Sequence, residues 1–160
     1  MKRLSCCLLF MLSLSVSASP QEEVSNVLDK FHQAASDASF TTYFSLFSAN
    51  AVFIGTDAGE TWPVDEFKAY AKPYFDKGQG WTYHPRDRHI YFSANGNTAW
   101  FDELLDNASY GVTRGTGVLV LENDKWKIAQ YHLTIPIPNQ LASTVTEMIK
   151  LSSAEIPVAN

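Results

Sequence analysis

Cysteine is nearly absent: the 160 residues include two, adjacent at Cys6 and Cys7. Both lie in a segment laid out like a secretory signal, where Lys2 and Arg3 precede an apolar stretch from Leu4 to Val16 and small residues follow at Ser17 and Ala18. Cleavage after Ala18 is expected, making 1–18 a signal peptide and the protein periplasmic or secreted. The mature chain then holds no thiol, disulfide or cysteine metal ligand. The apolar stretch is shorter than the roughly 20 residues that cross a bilayer, so no membrane association is expected after cleavage.

Basic residues are also scarce. Lys and Arg total 12 against 17 Asp and Glu, a net charge of −5 that becomes −7 once Lys2 and Arg3 are removed. With no run of Lys or Arg, the chain lacks the positive field that phosphate backbones require, and nucleic acid is not an expected partner. Histidine spacings such as HxxxH are missing, as are a nucleophile elbow and a phosphate loop, so neither metal nor cofactor is expected. Repeats, low-complexity tracts and linkers are missing too. A single domain follows from the length.

What is abundant is apolar and aromatic side chain, at 46% and 13%. Ser19-Pro20-Gln21-Glu22 reads as a capping box with proline in the first turn, followed by Val24, Leu28, Phe31 and Ala35 at helical spacing. Phe40, Tyr43, Phe44 and Phe47 suggest a second short helix, residues 51–56 a strand, and Pro63 the opening of a third helix that Gly78 ends. From Trp81 the apolar period changes to two, which marks a sheet. Asn139 could cap a terminal helix bearing Leu141, Val145, Met148 and Ile149, with a frayed tail after it. Helices beside an antiparallel sheet make an α+β domain.

Asn95-Gly96 between alternating segments predicts a two-residue type I′ hairpin. Its register pairs Phe92 with Ala99, Tyr91 with Trp100, Ile90 with Phe101, His89 with Asp102 and Arg88 with Glu103. A second turn at Asn123-Asp124 or Asp124-Lys125 joins the last two strands. On unbroken alternation, one face carries His89, Tyr91, Trp100 and Asp102, joined by Gly115, Gly117, Gln130 and His132. Arg88, Glu103 and Arg114 fall on the other face with Ile90, Phe101, Thr116, Val118, Tyr131 and Leu133.

The segments Phe53–Asp57, Gly80–Tyr83, Ala99–Glu103, Arg114–Leu119 and Trp126–Leu133 together make residues 19–139 resemble the SnoaL-like branch of the nuclear transport factor 2-like (NTF2-like) superfamily. Residues 140–160 are left as a C-terminal helix and tail. The resemblance implies a cone, with a curved antiparallel sheet wrapped around N-terminal helices, an internal pocket and homodimer formation. It leaves the chemistry open, since the family holds isomerases, cyclases, dehydratases, hydrolases and binding domains.

Two functional readings follow. One is a pocket for a small apolar or aromatic metabolite without defined catalysis, lined by His89, Tyr91, Trp100 and Gln130, with Trp62 and Trp81 at the mouth. The other is a cofactor-independent lyase, isomerase or hydrolase in which His132 with Asp102, or His89 with Asp102, transfers protons, because an imidazole held by a carboxylate works near neutral pH. The same pairs could instead be a structural polar network. Asp57 lies at the rim where ketosteroid-isomerase relatives carry a general base, two positions beyond Gly55, which aligns with that role directly; alternatively it shapes an Asx turn before Gly59. The Arg88-Glu103-Arg114 ladder is either a clamp for an anionic substrate or part of a homodimer interface on the outer sheet face.

Overall fold

A computed structural model describes residues 18–155. Residues 1–17 of the expected signal peptide at 1–18, with Cys6 and Cys7, lie outside these residues.

The chain enters through helix α1 (Pro20–Ser36), whose start is the capping box read from the sequence. The Glu22 carboxylate accepts from the Ser19 backbone N–H at 2.7 Å, and the Glu22 N–H donates to Ser19 Oγ at 3.3 Å. Both bonds satisfy donors that a helix end leaves open, and the capped carboxylate has its pKa lowered by them. Helix α2 (Phe40–Ser45) is short and runs directly into strand β1 (Phe47–Ile54). A short strand β2 (Thr61–Pro63), not foreseen from the sequence, folds back on β1 before helix α3 (Val64–Phe75). Pro73 sits in the last turn of α3, and Gly78 takes φ +69° just beyond it.

Strands β3 (His84–Phe92), β4 (Thr98–Asn107), β5 (Gly111–Glu122) and β6 (Lys125–Thr134) form the meander. The six-stranded sheet has the order β2-β1-β6-β5-β4-β3, and only the β1–β6 contact is parallel. Helix α4 (Ala142–Glu155) follows a single 3₁₀ turn at Asn139–Leu141, so Asn139 opens that turn rather than capping the helix.

One sheet face closes on α1, α2 and α3. Its buried side chains include Phe101, Glu103 and Leu105 from β4, Thr113 and Leu119 from β5, and Ile128, Tyr131 and Leu133 from β6. Phe31 and Tyr43 stack at 4.7 Å between ring centres, and Phe53 stacks on Phe67 at 4.0 Å, so rings hold much of the layer together.

The predicted β3–β4 register is observed from His89–Asp102 through Phe92–Ala99. The turn itself differs. Only Gly96 in the loop has positive φ, at +72°, whereas a type I′ turn requires it at both central residues. Instead Gly96 N–H donates to the Ser93 carbonyl at 2.9 Å, and Asn95 Oδ1 accepts from Ser93 Oγ and the Asn97 N–H. At the other hairpin, Asn123 and Asp124 both take positive φ, at +48° and +59°.

Two features overturn the assignment of residues to faces. The β4–β5 hairpin pairs Glu103 with Gly115 and Asp102 with Thr116, so the glycines stand on the Glu103 side. In β6 the register against β5 jumps from Val118–Gln130 to Leu119–Ile128, leaving Ala129 as an extra residue in a bulge. Alternation breaks there. Trp126 and Ile128 point inward, but beyond the bulge Tyr131 and Leu133 take the inward positions, and Gln130 and His132 turn to the outer side.

Candidate functional site

Between the helices and the inner sheet face lies a cavity of about 260 Å³, slightly below the ~300 Å³ at which ligand pockets usually begin. Helix α1 supplies Phe31, His32 and Ala35 to its wall, and α2 supplies Tyr43. Strand β1 ends at the cavity with Phe53, then Gly55 and Thr56, and β6 contributes Tyr131 and Leu133. Trp62, Phe67 and Tyr70 close one side and Trp81, Tyr83 and Tyr110 another, while Glu60 is the one carboxylate in the wall.

The main polar feature at the floor is a chain of charges running from the cavity to solvent. His32 Nε2 lies 2.6 Å from Glu103 Oε1, and Arg88 Nε donates to Glu103 Oε2 at 2.7 Å. Arg88 Nη1 goes on to Asp29 Oδ1 at 2.7 Å and to the Ser25 hydroxyl at 2.9 Å. Glu103 has no exposed surface. Burial alone would raise its pKa, but the bond and charge of His32 and the charge of Arg88 outweigh it and hold the pKa below the ordinary value. An ionised carboxylate only accepts, so the proton in the short bond belongs to His32 Nε2. No hydrogen bond reaches the other ring nitrogen, Nδ1, among the described residues.

Two buried phenols also line the cavity. Tyr131 directs its hydroxyl at Glu103 Oε1 from 3.4 Å, and its pKa is raised well above the usual tyrosine value, first by burial and then by the negative Glu103. The Tyr43 hydroxyl is buried with no hydrogen-bond partner in good geometry among the described residues. Burial drives its pKa up as well, opposed by the neighbouring Trp81 indole. Both phenols thus stay neutral; the Tyr131 proton is given to Glu103, while the Tyr43 proton is free to be donated to an oxygen in the cavity.

The residues singled out from the sequence divide between two faces. Trp62 and Trp81 line the cavity, as does Tyr83. His89, Tyr91, Trp100, Asp102, Gln130 and His132 are absent from its wall, because β3 and β4 present them outward and the Ala129 bulge turns the last two away. His89 Nδ1 and Asp102 Oδ1 do meet, at 3.2 Å, but with side chains 59% and 43% exposed. His132 stands opposite Thr116 and not beside a carboxylate. Asp57 shapes an Asx turn, with Oδ1 accepting the Gly59 N–H at 2.8 Å.

The proposed ladder is likewise split. Arg88 and Glu103 pair on the inner face, while Arg114 is exposed on the outer one opposite Thr134. Gly115 and Gly117 open no space for a ligand. A Cβ at Gly115 would lie 2.4 Å from the Tyr131 hydroxyl, and one at Gly117 would lie 2.8 Å from the Phe101 ring. Tyr131, Phe101 and the Gln130 carbonyl take that space.

Sequence reasoning passed over His32. Its position was nevertheless readable: residue 32 is four beyond Leu28 and next to Phe31, on the buried stripe of α1. A histidine placed there must find a polar partner in the sheet. Among the described residues, no group of three or more His, Cys, Asp or Glu is arranged to hold a metal ion, and no helix is long and apolar enough to cross a membrane.

A family model described as a SnoaL-like domain matches residues 24–138. None of the curated proteins matches the chain. Among solved structures, a domain with a cystatin-like fold from Nostoc punctiforme superposes with a TM-score of 0.67 at 14% identity, covering 84% of this chain and 88% of that one. An NTF2-like protein of unknown function from Pseudomonas putida gives 0.62 at 11% identity, with 78% and 93% covered. A proposed dehydratase of the NTF2-like family from Streptomyces avermitilis gives 0.62 at 17%, with 73% and 96% covered. At these identities the likeness concerns the fold alone.

Proposed function

The chain belongs to the SnoaL-like domain family, and from the cavity enclosed by its helices and sheet we propose that it is an exported protein binding a small apolar or aromatic metabolite there. The observation that carries this is the wall itself. Ten of the cavity's lining residues are Phe, Tyr or Trp, and a flat apolar ligand inserted among them gains both buried area and ring–ring contact. Export rests on the signal-like segment at 1–18. Native mass spectrometry of the mature protein should detect a bound small molecule that Trp62→Ala or Trp81→Ala removes and Trp100→Ala, on the outer face, retains. Equal retention by all three would overturn the reading.

The short His32–Glu103 bond favours a second reading, cofactor-independent proton transfer of the lyase, isomerase or hydrolase kind. In it His32 Nδ1 takes or returns the proton, and Glu103 fixes the tautomer and ring position. His32→Gln should then abolish turnover of a bound ligand with little loss of affinity. Unchanged turnover would remove catalysis from the account.

The family resemblance also supports a homodimer through the outer sheet face, where Tyr91 and Trp100 are each nearly half exposed and stack at 6.0 Å.

A further inference from the structure

We infer that the mouth of this cavity selects a ligand bearing a positively charged ammonium group on an aromatic or apolar body, with the cation held by Glu60 among the rings of Trp62, Tyr70 and Tyr110. The inference rests on the pocket reading and narrows it to a class of ligand.

The cavity wall is graded. Phe31, Tyr43, Phe67 and Tyr131 are buried at its depth, whereas Tyr70 and Tyr110 are 45% and 54% exposed. Lys and Arg are absent from the wall, so Glu60 is its one carboxylate and has no cationic neighbour to neutralise it. Glu60 is also held in place. Its Oε2 accepts the Asp57 N–H at 3.2 Å, and it packs over Gly55 so closely that a Cβ there would lie 2.1 Å from the same oxygen. A single hydrogen bond leaves Oε1 open among the described residues. Glu103, the buried carboxylate on the inner floor, is paired with His32 and Arg88; among the described residues no ion pair reaches Glu60 at the entrance.

The rings around Glu60 are the electron-rich kind. Trp62 and Tyr70 stack at 5.2 Å, and indole and phenol faces attract a cation within ~6 Å more strongly than a benzene ring does. The Tyr70 phenol is held above its ordinary pKa, first by burial and then by Tyr74, Glu60 and Tyr110, a field that a bound cation would relieve. An anionic ligand would meet Glu60 and a chain of net charge −5. A neutral one would use the rings but not the carboxylate.

Three probes of similar shape separate these cases: 2-phenylethylammonium, 2-phenylethanol and 3-phenylpropionate, titrated at pH 7 into the mature protein and followed by amide chemical shifts. The ammonium is expected to bind about tenfold more tightly than the alcohol, and the carboxylate more weakly than either. Glu60→Gln should bring the ammonium down to the alcohol's affinity and leave the alcohol unchanged. Equal affinity for ammonium and alcohol, or a preference that survives Glu60→Gln, overturns the inference while the pocket reading stands. Failure of all three probes to shift cavity resonances overturns both.

Discussion

A carboxylate without exposed surface pays heavily in lost hydration, and Glu103 tolerates it because His32 and Arg88 each bond one of its oxygens. Removing it takes the acceptor from both His32 Nε2 and Arg88 Nε and leaves the guanidinium, whose Nη2 is already without a partner among the described residues, held through Nη1 alone by Asp29 and Ser25. Glu103→Ala is therefore expected to lower stability by about 3–5 kcal/mol in urea unfolding. The pH dependence has a definite sign. The folded pKa of Glu103 lies below the ordinary 4.5, so its stabilisation is complete above that value and disappears as pH falls through the lower folded pKa. Urea midpoints of the wild type should fall across that acidic window, and Glu103→Gln should flatten that part of the profile. At Gly115 the expected effect is steric: a methyl there collides with the Tyr131 hydroxyl, so Gly115→Ala should cost about 1–3 kcal/mol.

Elements show where local rules suffice. The α1 capping box uses residues three apart, and Ser19→Ala is expected to cost about 1 kcal/mol in thermal unfolding. Gly96 differs from Gly115 because a Cβ there meets nothing within 4 Å. Gly96→Ala should consequently cost only about 1 kcal/mol, all of it from the positive φ. The register of that hairpin was legible in the sequence, because Asn95-Gly96 marks the centre of the turn and the pairs follow outward from it. Its turn type was not, because Ser93, Asn95 and Asn97 bond to one another in a four-residue loop that dipeptide preference alone does not describe. Strand β2 was missed since three residues carry no period.

At the scale of the whole molecule the outer sheet face matters most. Tyr91, Trp100, His89 and Asp102, read from the sequence as pocket lining, form an exposed patch there. The proposed homodimer places that patch in its interface, and sedimentation equilibrium of the mature protein should give twice the monomer mass. Trp100→Glu should shift it to the monomer, with ligand binding retained because the cavity lies on the other side of the sheet. A monomeric wild type would contradict this use of the face.

Composition, caps, apolar stripes and hairpin register determined the α+β class, the helical start, the antiparallel meander of the second half and which residues stand beside one another in the Asn95-Gly96 hairpin. These depend on interactions between near neighbours, and near neighbours are what a linear pattern records. Which side of the sheet meets the helices was decided only in three dimensions. One extra residue at Ala129 reversed the facing of Gln130 and His132, and the β4–β5 pairing put Gly115 across from Glu103. The pair with chemical potential, His32 and Glu103, is separated by 71 positions. Tertiary burial brought them together, because a helix histidine and a strand carboxylate facing the same dry interior are stable there only in contact.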